Sequence, residues 1–214
     1  MKTAIITGVS HGLGAVTARV FLDHGWQVIG TGRSDRPAEL PEAILYHQFD
    51  AADPQAVAGF WNAILQTITD DVCLVNNAGG YVAGALQNAD AEDFQRQMAS
   101  NYFGGVYMTQ EFVKHVAAGR VINILSSGAL QPHAEQSAYG ASKAAAMHFF
   151  QAIRRELPAS KYRITNIYPS DIATHGDNDK AINPQDLARF VVEQAESATS
   201  FYLSDITMYP APHA

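Results

Sequence analysis

Thr3-Ala4-Ile5-Ile6-Thr7-Gly8-Val9-Ser10-His11-Gly12-Leu13-Gly14 joins an unbroken apolar run to a cluster of glycines. The run reads as a strand buried on both faces, because a strand with one face in water would alternate apolar and polar residues. Beyond the glycines an amphipathic pattern predicts a helix to about His24. A glycine turn between strand and helix lets backbone approach a pyrophosphate, and the helix N-terminus adds unpaired N–H groups and a favourable dipole. The spacing Gly-x-x-x-Gly-x-Gly departs from the common dinucleotide fingerprint Gly-x-Gly-x-x-Gly.

The same unit recurs along the chain. Further strands are predicted at 27–31, 45–49, 72–75, 121–125, 163–168 and 201–209. Between them, Asp53 is a natural N-cap with Pro54 in the first turn, long helices are predicted at about 91–116 and 138–157, and Asn183-Pro184 opens the last helix. Alternating strands and helices imply an α/β, doubly wound (Rossmann) parallel sheet of about seven strands, with helices on both faces. At 214 residues this suits a single domain, 1–214, for both dinucleotide binding and catalysis.

Composition narrows the function. The formal charge is −7 and no basic run exceeds pairs such as Arg154-Arg155, which argues against nucleic acid as a partner. Strand-like sequence from Thr3 leaves no room for a signal peptide, and no apolar stretch reaches membrane-spanning length, so a cytoplasmic protein is expected. The single cysteine, Cys73, lies in an apolar run and is expected in the core, as is Trp61. The histidines lack metal-ligand spacing, and no metal site is expected.

Chemistry is concentrated between Ser126 and Lys143. Tyr139 and Lys143 stand four apart in an Ala-rich helical segment and so share one face, one turn apart. A free tyrosine titrates near ~10 and is a poor acid–base group at neutral pH. An ammonium at ~4 Å and an effective dielectric of ~20 attracts the phenolate by about 4 kcal/mol, which is expected to draw Tyr139 down toward neutrality. Ser126 ends the strand at 121–125, where active-site hydroxyls of open α/β sheets commonly stand.

The glycine loop, the strand-end serine and the Tyr-x-x-x-Lys pair together resemble the short-chain dehydrogenase/reductase family of single-domain type, over nearly the whole chain. Ala129-Leu130-Gln131-Pro132 is also similar to its sepiapterin-reductase/carbonyl-reductase branch. The resemblance implies Asn101, Ser126, Tyr139 and Lys143 as the catalytic set. In it, Asn101 distorts its helix and holds a water that links the lysine to solvent. The spacing to Tyr139 selects Ser126 over Ser127. For the cofactor the resemblance implies Thr7, Gly8, Ser10, His11, Gly12, Leu13 and Gly14 of the loop, Asp50 at the adenine, and Asn77, Ala78 and Gly79 of an Asn-Asn-Ala-Gly element. Tyr139 and Lys143 again, with Pro169, Ile172 and Thr174, complete that set. Ser170 stands where the family usually has Gly, and His11 where NADP-preferring members often have a basic residue.

NAD enzymes of this architecture place an acidic residue about twenty residues past the glycine loop. Here Gly32-Arg33 occupies that neighbourhood, and a guanidinium can pair a 2′-phosphate bidentately, so NADP(H) is preferred over NAD(H); an Arg33 pairing with Asp35 or Glu39 is the plain alternative. The expected activity is reduction of a small-molecule ketone or aldehyde, reversible as alcohol dehydrogenation. A catalytically silent NADP-responsive binding or regulatory protein of the same fold is the other reading. Tyr81, Leu130, His133, Tyr168 and His175 are candidates to line an aromatic-leaning substrate pocket. The segment after Thr174 is short, which predicts a shallow, open site. Apolar residues around much of helix 138–157 predict a homodimer or homotetramer through helices 91–116 and 138–157.

Overall fold

The computed structural model describes residues 2–69, 71–173 and 180–211. Seven strands form one parallel sheet: β1 (Lys2–Thr7), β2 (Gln27–Gly32), β3 (Leu45–Gln48), β4 (Asp71–Asn76), β5 (Gly119–Ile124), β6 (Tyr162–Pro169) and β7 (Asp205–Met208). Their order, β3-β2-β1-β4-β5-β6-β7, reverses direction between β1 and β4, the switch point at which open α/β sheets bind ligands. Helices α1 (Gly12–Asp23), α2 (Pro54–Ile64), α3 (Ala91–Met98), α4 (Gly104–His115), α5 (Ser137–Glu156) and α6 (Pro184–Glu196) cover both faces.

Two apolar layers result. On one face Leu13, Ala18 and Phe21 of α1 pack with Leu187, Val191 and Val192 of α6 over Ala4, Ile6 and Val75. On the other, Phe60 and Trp61 of α2 and Met108 and Phe112 of α4 cover Ile5, Leu74 and Val121. Alternate residues of one strand therefore feed opposite layers, which is why β1 and β4 read as continuous apolar runs. Trp61 and Cys73 are in the core as expected.

Two elements depart from the sequence reading. The helix predicted at 91–116 is two helices, α3 and α4, joined by a π-helical turn at Ala99–Phe103. Asn101 sits inside that turn, and a side chain bonded elsewhere is a recognised cause of such a break. The seventh strand is shorter than 201–209. Ser204 and Leu203 accept from Asn166 N–H (2.8 Å) and the Thr165 hydroxyl (2.7 Å), but regular pairing starts only at Asp205.

A row of amides crosses the sheet below the switch point. Asn76, Asn123, Asn166 and Asp205 are register partners on β4, β5, β6 and β7. Asn76 donates to Asn123 (2.9 Å), Asn123 to Asn166 (2.8 Å) and Asn166 to Asp205 (3.1 Å). The Asp205 carboxylate, which also receives Tyr168 and Arg154, ends the row. Each amide NH2 of the row thereby finds an acceptor and avoids the roughly 1–3 kcal/mol that an unsatisfied polar group costs. The buried Asn76 Oδ1, at the start of the row, has no partner among the described residues.

Candidate functional site

A cleft of about 790 Å³ runs along the C-terminal ends of the strands, from the glycine loop past β4 to α5. The loop is built by geometry only glycine tolerates well. Gly8 and Gly12 have φ of 72° and 58°. A Cβ on Gly14 would lie 2.1 Å from the Gly8 carbonyl oxygen. The N-terminus of α1 thus opens directly into the cleft, as a pyrophosphate requires.

Most residues expected at the cofactor line this cleft: Gly8, Ser10, His11, Gly12, Leu13, Gly14, Arg33, Asp50, Asn77, Ala78, Gly79, Tyr139, Lys143 and Ile172. Two do not. Thr7 is buried, and its hydroxyl accepts from the backbone N–H groups of Asn77 (3.0 Å) and Ala78 (2.9 Å), fastening β1 to the end of β4. Pro169 is inside the sheet, paired with Met208 on β7. Thr174 and His175 lie outside the described residues, as does most of the short segment after them. Asn77 both lines the cleft and steadies the loop, donating to the carbonyls of Thr7 (2.9 Å) and Gly8 (3.1 Å). Sequence reading did not single out Phe49, Ser34, Ser100 or Leu125, which also line the cleft. Only their place at strand ends or on the π turn could have signalled it.

At the β2 end, Arg33 is exposed and, among the described residues, has no carboxylate partner; it pairs with neither Asp35 nor Glu39. Beside it the Ser10 hydroxyl meets those of Tyr46 (3.2 Å) and Ser34 (3.3 Å). A guanidinium and two serine hydroxyls facing the cleft form a donor set suited to a phosphate.

At the α5 end, Tyr139 and Lys143 lie on the first two turns, on one face. Lys143 is 6% exposed, its Nζ donates to the Ile124 carbonyl (3.1 Å) and lies 5.9 Å from the centre of the Tyr139 ring. Burial lowers its pKa to about 8. Tyr139 is not drawn toward neutrality. Burial pushes its hydroxyl up, hydrogen bonding from Ser126 pulls the other way, and Tyr81 and Asp171 add to the rise. The lysine reaches the strand carbonyl and the ring, so its field does not offset the phenolate's lost hydration. Ser126 is not part of the cleft wall; its Oγ accepts from Gly128 N–H (3.0 Å) and faces Tyr139.

Asn101 acts through its side chain as a clamp. Its amide donates to the carbonyl of Gly80 (3.0 Å), to Gln97 (2.8 Å) and to Ser142 (2.9 Å), and its Oδ1 accepts from Gly80 N–H (2.8 Å). Ser142 in turn donates to the Tyr139 carbonyl (2.7 Å), so the clamp reaches the helix that carries Tyr139. The carboxamide is thus engaged by protein partners.

Tyr168, a sequence candidate for the pocket, is buried and donates to Asp205 (2.7 Å), away from the cleft. Among the described residues no cluster of His, Cys, Asp and Glu could hold a metal ion, and no helix is long and apolar enough to cross a membrane.

The family model of the short chain dehydrogenases matches residues 2–185, and the chain belongs to that family. It is 30% identical over 218 aligned positions to a probable NADP-dependent dehydrogenase of Haemophilus influenzae, covering 89% of this chain and 86% of the relative. It is 29% identical to an NADP-dependent 3-hydroxy acid dehydrogenase of Salmonella typhi, covering 96% and 94%. A solved short-chain dehydrogenase/reductase from Vibrio parahaemolyticus superposes with a TM-score of 0.87 at 28% identity, over 99% of this chain and 98% of that one.

Proposed function

We propose that this chain is an NADPH-dependent carbonyl reductase, reversible as an alcohol dehydrogenase, working as one unit over residues 1–214. The observation that carries the reading is the placing of Tyr139 and Lys143 at the end of a cleft that begins at the glycine loop, with Ser126 facing Tyr139. When bound, NADPH supplies the hydride to the carbonyl carbon. Tyr139 gives its proton to the carbonyl oxygen, and its raised pKa keeps it in the protonated form that reduction needs. Ser126 hydrogen-bonds the same oxygen. Lys143, near the Tyr139 ring, favours the phenolate left behind and would hold the nicotinamide ribose when the cofactor is bound. Asn101 is a positioning residue that fixes Gly80 and α5.

Arg33, Ser10 and Ser34 would hold the 2′-phosphate that separates NADP from NAD, in keeping with the NADP dependence named for the Haemophilus and Salmonella relatives. Asp50 stands at the adenine side. Assembly as a homodimer or homotetramer is supported by aromatic surface on the joined helices: Phe103 is exposed and stacks on Tyr107, while Tyr102 meets Phe149 of α5.

The test is NADPH oxidation against a panel of aldehydes, ketones, diketones and quinones, with Tyr139→Phe as the blank. Turnover by the unmodified protein and loss of most of it in the variant, with NADPH affinity kept, is expected. No oxidation with any compound, or equal oxidation by the variant, overturns the reading.

A further inference from the structure

Resting on the reductase reading, we propose that the site takes flat carbonyl compounds without negative charge, aryl or conjugated aldehydes and ketones, selected by the Tyr81 ring and by the lack, among the described residues, of a cation placed to pair a carboxylate there. Tyr81 lines the cleft, and its ring meets that of Tyr139 edge-on, with centroids 4.9 Å apart at 78°. Despite that contact it is 59% exposed. One aromatic face beside the proton-donating hydroxyl is thus left uncovered by the described chain, and a planar group held at that hydroxyl can stack on it.

The segment bearing Tyr81 is fixed at both ends. Asn101 holds both backbone groups of Gly80 (2.8 and 3.0 Å), and Gly84 N–H donates to the Glu135 carbonyl (2.8 Å). Glu135 itself adopts φ of 62°, a left-handed conformation that is costly for this residue type. Tyr81 is therefore presented by a braced loop, which lowers the entropy cost of using it as a binding wall.

Charge supplies the second selection. Among the described residues, Arg33 and Lys143 are the only lysine or arginine side chains lining the cleft. Lys143 donates to Ile124, lies by the Tyr139 ring, and its remaining donors would be taken up by the nicotinamide ribose when the cofactor is bound. Arg33 ends β2, three strand spacings from β5 in the sheet order, or about 14 Å away. Neither is placed to pair a carboxylate on a substrate at Tyr139. An anionic substrate held at the Tyr139 hydroxyl therefore finds, among the described residues, no cation placed to pair with it, whereas an uncharged ring loses nothing by that lack.

The experiment compares NADPH-dependent reduction of methyl 4-formylbenzoate with that of 4-formylbenzoate, which differ mainly in charge. The ester should be favoured at least about tenfold in kcat/KM. Tyr81→Ala should raise KM for the ester at least about fivefold more than KM for butanal, and Tyr81→Phe should restore it, because stacking needs the ring alone. Equal or better use of the carboxylate, or an unchanged ester-to-butanal balance in Tyr81→Ala, overturns the proposal while leaving the reductase reading intact. If neither aldehyde is reduced, the wider panel decides the reductase reading, and calorimetric titration of the protein–NADP⁺ complex with benzamide and benzoate decides this one. Tighter binding of benzamide, weakened in Tyr81→Ala, supports it. Benzoate binding as well or better, binding of neither, or indifference to Tyr81→Ala overturns it.

Discussion

Lys143 donates its ammonium to the backbone carbonyl of Ile124 at 3.1 Å, inside the protein and within 5.9 Å of the Tyr139 ring centre. The end of β5 thereby holds a buried cation at the site. Burial without a carboxylate partner lowers its pKa to about 8. Between there and the ordinary lysine value the unfolded chain binds more protons than the folded one, so stability rises with pH across that window. The burial penalty is complete below about 8 and fades above it. The stability of the unmodified protein relative to Lys143→Met should therefore improve by about 2 kcal/mol from about pH 7.5 to about pH 10. Urea unfolding at the two pH values measures it. A difference that stays flat or moves the other way would mean the ammonium is solvated.

Arg33 should decide cofactor choice. Its guanidinium faces the cleft beside Ser10 and Ser34, with no competing carboxylate among the described residues. Losing a charge-assisted contact costs about 1.5–3 kcal/mol, so Arg33→Ala should weaken NADPH binding by roughly ten- to hundredfold and barely affect NADH. Fluorescence titration with both nucleotides reads this directly. Equal affinities in the unmodified protein would refute the assignment.

Cys73 should be chemically silent while the protein is folded. It is fully buried in β4, and burial pushes its thiol up to about 12. Reaction with a disulfide reagent at neutral pH should proceed only as fast as the chain unfolds, and should become immediate in guanidinium. Rapid labelling of the native protein would contradict the packing described for β4.

The aromatic surface of α4 and α5 predicts self-association. Phe103, Tyr107 and Phe149 are at least partly exposed, and a two-fold axis would let that patch cover its own copy. Light scattering at micromolar concentration should give two or four times the 23.1 kDa of one chain. A mass of one chain, independent of concentration, rejects the assembly.

What the sequence determined by itself is local. Gly8, Gly12 and Gly14 announce a loop because only a residue without Cβ fits a positive φ or a carbonyl 2.1 Å from where its Cβ would be. Tyr139 and Lys143 share a face because a helix repeats every 3.6 residues. Continuous burial of β1 and β4 follows from apolar runs, and the parallel sheet follows from strands separated by helices. Contacts between residues far apart in sequence leave no such periodic mark. Nothing in the spelling of Asn76, Asn123, Asn166 and Asp205 says that they stand side by side, because sheet order and register bring them together. The same holds for Asn101, whose hold on Gly80 coincides with a π turn in what reads as one helix. Tyr168 looked like a pocket aromatic until β7 placed Asp205 within 2.7 Å of its hydroxyl. Even the sign of the Tyr139 shift was a tertiary outcome. The i, i+4 spacing fixes that a lysine is near, but how much water the phenol loses depends on everything packed around it.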